Sequence, residues 1–149
     1  MRKVFLFDSM KCTGCRTCEM ICSLRHTETC NSVRSRIRIV HNHKEELITL
    51  LQCRLCKKPP CVEVCPEKAL SIDRDSGVIN VDQDLCSGCL MCIEVCPFGG
   101  MQLDPISWEV NSCDLCGGEP GCVEFCETGA IKYVRADEIG MELSLLRTT

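Results

Sequence analysis

The sequence predicts an α+β fold built from two small nested units of short strands, hairpins and short helices, and three observations predict it. Sixteen of the 17 cysteines fall into four tight runs. Short strand-like segments bracket those runs in nested order, and a hairpin pattern joins the two inner runs.

The elements follow in chain order. Val4-Phe5-Leu6-Phe7 reads as a strand ahead of the first run, Cys12, Cys15, Cys18 and Cys22. Residues 31–46 then hold a concentrated basic stretch, Arg34, Arg36, Arg38, His41, His43 and Lys44. The arginines alternate with Val33, Ser35, Ile37 and Ile39, the period of two that puts them on one face of a strand. That face is either solvated or docks on an acidic partner surface. Leu47 to Leu51 forms the strand before the second run, Cys53, Cys56, Cys61 and Cys65. Ala69-Leu70-Ser71-Ile72, a turn at Arg74-Asp75-Ser76-Gly77 and Val78-Ile79-Asn80-Val81 make a hairpin by alternation and turn chemistry. The third run, Cys86, Cys89, Cys92 and Cys96, is followed by the strand Met101-Gln102-Leu103. The fourth, Cys113, Cys116, Cys122 and Cys126, is followed by Ile131-Lys132-Tyr133-Val134. The tail places Ile139, Leu143 and Leu146 at roughly helical spacing, with Met141 and Leu145 nearby, although Gly140 weakens a free helix. The expected organisation is one domain over 1–134, with an inner unit at about 47–103 and an outer unit from 1–30 plus 104–134. A C-terminal docking tail covers 135–149.

The spacing carries the chemistry. The first and third runs read C-x2-C-x2-C-x3-C, the bacterial ferredoxin run. The second and fourth keep the outer spacings and stretch the middle gap with Pro59-Pro60, and with Gly117-Gly118 and Pro120-Gly121, turn formers that lengthen a loop. Three closely spaced thiolates on a turning loop reach three irons of one 4Fe-4S cube, and the fourth, leaving towards a helix, ligates a neighbouring cube. In the nested layout the ligand sets are Cys53, Cys56, Cys61 with Cys96; Cys86, Cys89, Cys92 with Cys65; Cys12, Cys15, Cys18 with Cys126; and Cys113, Cys116, Cys122 with Cys22. A tandem pairing of the first run with the second and the third with the fourth stays open, because spacing does not fix connectivity. Cys30 is left over as a small packed or free thiol.

Two other uses of cysteine compete. Zinc needs four converging ligands, usually two separated C-x2-C pairs, and the third and fourth cysteines of each run are surplus to that. A disulfide framework suits a secreted chain, but only Val4 to Phe7 is apolar before Asp8, too short for a signal segment, so the expected setting is a reducing, cytoplasmic one. Composition agrees with a cofactor-built fold. The 45% hydrophobic content includes every cysteine and aromatics are only 4%, so the ordinary apolar core is thin and the apoprotein is expected to be largely unfolded. The formal charge of -4 argues against nucleic acid, and each cube with four thiolates adds about -2 more. No apolar run approaches the roughly 18 residues of a membrane span, so direct membrane insertion is not expected.

The four motifs from Cys12 to Cys126 resemble the four-cluster ferredoxin-like subunits of molybdenum and tungsten oxidoreductases, including the electron-transfer subunits of DMSO reductase and formate dehydrogenase. From Cys65-Pro66 to Cys96-Pro97, with the Ser87-Gly88 turn, the match is to a bacterial two-cluster ferredoxin. The compact length is most similar to the small subunit paired with tungsten enzymes of the aldehyde:ferredoxin oxidoreductase family, which includes the benzoyl-CoA reductase type. The resemblance implies four 4Fe-4S clusters, a large tungsten- or molybdenum-containing catalytic partner and a flavin/NAD or ferredoxin acceptor. Ser23 and Glu127 depart from it, standing where a ferredoxin often has Pro after the last cysteine, so the outer cubes are expected to be differently hydrogen-bonded.

The function expected is one-electron relay between a catalytic subunit and an acceptor, with no catalytic residue in this chain: His26, His41 and His43 stand near no convincing acid or nucleophile, and His26, four residues past Cys22, is expected at the surface or behind the cluster rather than as a ligand. The alternatives are a free-standing polyferredoxin and, further off, a zinc-binding interaction module. Two docking faces also allow copies to self-associate end to end, a contact that need not close.

Overall fold

The computed structural model describes residues 3–140. Eight short strands and four helices occur in the order β1 (Lys3–Phe7), α1 (Thr17–Thr27), β2 (Arg38–Asn42), β3 (Leu47–Leu51), α2 (Pro60–Val64), β4 (Leu70–Ile72), β5 (Ile79–Val81), α3 (Met91–Val95), β6 (Met101–Leu103), β7 (Val110–Ser112), α4 (Gly121–Glu124) and β8 (Ile131–Arg135). Among the described residues the strands form four separate two-stranded antiparallel ribbons, β1-β8, β2-β3, β4-β5 and β6-β7.

The β1-β8 ribbon brings the two ends of the outer unit together. Phe5 faces Tyr133 and Phe7 faces Ile131, and the Phe5 and Tyr133 rings lie 4.9 Å apart. The helices repeat the same order: α1 packs on α4, and α2 on α3. Arg25 of α1 fastens the outer pair by donating to the Glu119 carbonyl at 2.8 Å and to the Glu124 carboxylate at 2.6 Å. Gly121 sits under that contact, where a Cβ would meet the side chains of Ile21 and Arg25 at 2.7 and 2.8 Å.

α2 and α3 stop just before Cys65-Pro66 and Cys96-Pro97, where a proline ring disfavours the helical region for the preceding residue. With Ser23 after Cys22, α1 runs on for 11 residues to Thr27, whereas α4 ends at Glu124 although no proline follows Cys126. The third cysteine of each run stands on the helix, and Cys65 and Cys96 follow directly at its C-terminal cap, so the helix starts earlier than the spacing suggests.

One expectation about strands is corrected. The arginine segment is not one strand: Ser32–Arg34 is a single 3-10 turn capped by Asn31, and extended structure begins only at Arg38. The segments bracketing the inner runs, β3 and β6, pair with β2 and β7. They remain in touch, since the Gln52 N–H donates to the Phe98 carbonyl at 3.2 Å and Leu51 packs on Gly99. The apolar stripe of the tail lies, from residue 141 onward, outside the described residues.

The core runs between the ribbons and the cysteine loops. Ile37, Leu50, Leu55 and Val110 are at most 2% exposed, and they share one apolar cluster with the thiols of Cys18, Cys22, Cys53, Cys61, Cys92, Cys113 and Cys122. The sulfur atoms are thus part of the core.

Candidate metal centres

One backbone feature recurs in all four runs. The residue two after the first cysteine has positive φ: Gly14 at 71°, Leu55 at 52°, Gly88 at 70° and Leu115 at 61°. A left-handed residue curls the loop and turns successive N–H groups to its concave side, the geometry of an anion-binding nest. Glycine adopts it freely, whereas leucine is strained by about 1–2 kcal/mol. Leu55 and Leu115, 0% and 3% exposed, hold the conformation by burial.

The loops gather the thiols from different runs. Cys12, Cys15, Cys18 and Cys126 line one cavity of about 220 Å³. Cys65, Cys86, Cys89 and Cys92 line a second, smaller one. Cys53 lies within electrostatic reach of Cys56 and Cys96, and Cys61 within reach of Cys53 and Cys96. Cys122 feels Cys113, Cys116 and Cys22. Each group therefore takes three cysteines from one run and one from another. Neighbouring groups also touch electrostatically, since Cys122 feels Cys18 and Cys113 feels Cys53. Cys15 and Cys89 are exposed, while the groups around Cys113 and Cys53 hold none but buried and half-buried cysteines. Cys30 is exposed and lines neither cavity.

No disulfide joins any of the seventeen cysteines in this structure. Burial pushes the Cys61 thiol up to about 11, Cys18 and Cys113 up to about 12, and Cys122 higher still. Such thiols ionise only beside a compensating positive charge, and iron supplies one to each set of four, so the donors fit 4Fe-4S clusters. N–H donors to sulfur are in place: Gly14 N to Cys12 Sγ at 3.4 Å, Arg36 N to Cys22 Sγ at 3.4 Å and Gly100 N to Cys96 Sγ at 3.2 Å. Gly100 has no room for a side chain, because a Cβ there would lie 2.5 Å from Cys53 Cα.

A polar knot supports the group around Cys113, and spacing alone did not show it. His26 Nδ1 donates to the Cys22 carbonyl at 2.7 Å, and its Nε2 donates to Asp114 at 2.9 Å. Asp114 also accepts from Arg36 and from the Cys116 N–H. Against the cost of burial, these partners hold the Asp114 carboxyl well below the usual carboxylate range, and Asp114 raises His26 in turn. His26, Asp114 and Cys116 could hold a metal ion by proximity, yet both ring nitrogens are already spent. The histidine props Cys22.

The basic stretch is the main correction at the surface. Arg34 pairs with Asp104 at 2.8 Å, Arg36 with Asp114 at 2.8 Å, and Arg38 donates to Gln102 Oε1 at 2.8 Å. These guanidinium groups fasten the segment to the fourth run and to the β6-β7 hairpin, so they do not form a free face for an acidic partner. Only a register of distant carboxylates in space could have revealed this, and the sequence does not contain one.

Comparison with known proteins places these features. Residues 44–136 match the family model of the 4Fe-4S dicluster domain. The beta subunit of NADH-dependent phenylglyoxylate dehydrogenase from Aromatoleum evansii is 40% identical over 139 residues, covering 92% of this chain. The aligned part is 31% of that subunit, so the chain spans about a third of its length. The putative electron transport protein YsaA of Escherichia coli strain K12 is 36% identical over 151 residues, covering 93% of this chain and 94% of that one. Among solved structures, a chain of the active-site complex BamBC of benzoyl coenzyme A reductase with benzoyl-CoA aligns with a TM-score of 0.51 at 26% identity, over 98% of this chain and 89% of that one. No helix among the described residues is long and apolar enough to cross a membrane.

Proposed function

The chain belongs to the 4Fe-4S dicluster domain family of electron-transfer proteins, and from that premise we propose that it wires a large tungsten- or molybdenum-containing catalytic subunit, of the aldehyde oxidoreductase type, to an acceptor. The observation that carries this reading is the succession of thiol groups: the one with exposed Cys15 touches the one around Cys113, which touches the one around Cys53, and the packing of α2 on α3 joins the Cys53 run to the run with exposed Cys89. A succession with two exposed ends suits a protein that meets a donor at one end and an acceptor at the other. The likeness over 98% of the chain to part of the benzoyl coenzyme A reductase active-site complex supports the choice of partner, through the resemblance to that enzyme type.

The residues that would hold the clusters are the four nested sets: Cys12, Cys15, Cys18 and Cys126; Cys113, Cys116, Cys122 and Cys22; Cys53, Cys56, Cys61 and Cys96; Cys86, Cys89, Cys92 and Cys65. When bound, each cluster accepts and releases one electron, and that redox chemistry belongs to the cofactor. The chain supplies ligation, spacing and tuning. Leu55, Leu115 and Val110 keep water from the middle of the succession, and peptide N–H groups at Gly14, Arg36 and Gly100 offset negative charge on the sulfurs. Histidine and carboxylate serve structure here, as His26 and Asp114 do, and no side chain is assigned a catalytic role.

The setting is the cytoplasm, whose reducing conditions keep cysteines available as cluster ligands. The acceptor is a flavin/NAD subunit or a ferredoxin, residues 135–149 dock on a neighbour, and end-to-end self-association uses the same two exposed ends.

Anaerobic purification of the tagged protein from its native source, with analysis of iron, sulfide, tungsten and molybdenum, tests this. A fixed-stoichiometry complex with a tungsten or molybdenum protein and about sixteen irons per copy is expected. A full iron complement without a partner would turn the reading to a free polyferredoxin.

A further inference from the structure

Gln52 is fully buried, at 0% exposure, and neither its Nε2 nor its Oε1 has a hydrogen-bond partner in the protein. A buried amide without a partner is costly, and proteins pair nearly all such groups. The residue stands directly before Cys53. Its own N–H is spent on the Phe98 carbonyl, and Gly100 presses against the Gln52-Cys53 backbone, so the chain on either side is locked and only the side chain is unsatisfied. Cys53 in turn lies within electrostatic reach of Cys56, Cys96 and Cys113. Gln52 is thus the chain neighbour of a cysteine at which two thiol groups of the succession meet. What surrounds Cys53 on binding iron is acceptor-rich and donor-poor: negatively charged sulfur, which a side-chain NH2 can serve. Asn111, the other residue with a buried polar atom lacking a partner, offers only its carbonyl oxygen, which has no proton to give sulfur.

We propose that the Gln52 side-chain amide, which reaches no cysteine sulfur, donates a hydrogen bond to an inorganic sulfide of the cluster held by Cys53, Cys56, Cys61 and Cys96, and so raises the reduction potential of that cluster. This rests on the nested ligand set proposed above. The physical cause is that reduction adds negative charge to the sulfurs, and a donor aimed at them stabilises the reduced form. Gln52 is a tuning residue, one that adjusts the height of an interior step in the electron path without contacting substrate.

The test uses the anaerobically purified, fully loaded protein. In Gln52→Leu, which keeps the volume and removes the donor, one midpoint potential is expected to shift downward in a redox titration followed by electron paramagnetic resonance, with the other three unmoved and iron content unchanged. Unchanged potentials, or an upward shift, would overturn the proposal and leave the amide to a buried water. Should Gln52→Leu fail to load iron, the wild-type protein decides: with side-chain 15N-labelled glutamine, the reduced protein should show a hyperfine coupling to an amide 15N, and its absence would overturn the proposal equally. Cys96→Ala separates this from the ligand assignment. The centre that shifts in Gln52→Leu should be the one Cys96→Ala removes; a shift in a centre that survives Cys96→Ala overturns the ligand set, and with it this assignment.

Discussion

Arg34 Nε donates to Asp104 Oδ2 at 2.8 Å, joining residues 70 positions apart, and the Asp104 side chain is only 5% exposed. The same carboxylate accepts the N–H groups of Ile106 at 2.8 Å and Ser107 at 3.3 Å, so it shapes the β6-β7 loop while anchoring the arginine segment. Asp104→Ala leaves a largely buried guanidinium and two loop N–H groups without an acceptor. Breaking such a pair costs about 3 kcal/mol, which lowers the melting midpoint of a protein this size by roughly 10 °C. Arg34→Ala leaves the buried carboxylate its two loop N–H donors, so it should cost less. Anaerobic melting followed by the visible absorbance checks this, and equal losses for the two variants would contradict it.

The nested ligand sets predict which substitutions act as one. Cys126 shares a cavity with Cys12, Cys15 and Cys18 although more than a hundred residues separate them. Cys15→Ala and Cys126→Ala should each lose about four of sixteen irons, and the double variant no more than either single one, since both act on one cluster. Cys65→Ala combined with Cys15→Ala should lose about eight. Tandem ligation reverses that pattern, so iron analysis of the four variants separates the two.

Glycines at two places in the same kind of loop should respond very differently. At Gly88, φ is 70° and a Cβ would meet nothing within 4 Å, so Gly88→Ala carries backbone strain alone, about 1 kcal/mol. At Gly100 a Cβ would fall 2.5 Å from Cys53 Cα and 2.7 Å from Cys53 N, backbone that has no rotamer to yield. Gly100→Ala must push Cys53 away from Cys56, Cys61 and Cys96. Iron content near wild type for Gly88→Ala and short by about four irons for Gly100→Ala is the expected result; full loading of Gly100→Ala would show that the two segments can separate.

The residues that spoke most clearly in the sequence were those whose chemistry is local. Cysteine spacing identified the runs, alternation found β4 and β5, and the strand-like quartets at Val4 and Ile131 became the β1-β8 ribbon. Pro66 and Pro97 mark where α2 and α3 stop. What stayed hidden depends on long-range partners. The alternation of Arg34, Arg36 and Arg38 looks like a strand face, yet Asp104, Asp114 and Gln102 claim each guanidinium separately and bend the segment to suit. Likewise β3 found β2 through a four-residue loop at residues 43–46, a closer partner than β6.

Cys30 should behave as the lone accessible thiol of the loaded protein. It is exposed and lies apart from the cavities that collect the other sulfurs, whereas even the exposed Cys15 and Cys89 would be tied to iron. Anaerobic treatment with a maleimide should add a single label, at Cys30 by peptide mapping, and Cys30→Ala should abolish labelling while retaining every iron. Labelling at Cys15 or Cys89 in fully loaded protein would remove that cysteine from the ligand sets.

Iron removal should unfold the chain rather than leave an empty scaffold. Each ribbon has only two strands, five residue pairs long in β1-β8 and β2-β3 and three in the other two. An isolated two-stranded ribbon is marginal in water. Three of the four helices have five residues or fewer, and even α1 at 11 is short of what stands alone. The apolar cluster counts seven thiols among its buried members, so a substantial part of its packing partners are the cluster ligands themselves. Without iron those thiols protonate and lose the bonds that draw Cys126 to Cys12, or Cys96 to Cys53, across long stretches of chain. Chelation under anaerobic, reducing conditions should therefore abolish the far-ultraviolet circular dichroism of the folded state, with recovery requiring both iron and sulfide. A chelated protein that still melts cooperatively would mean that the ribbons and Arg34–Asp104 hold the fold by themselves.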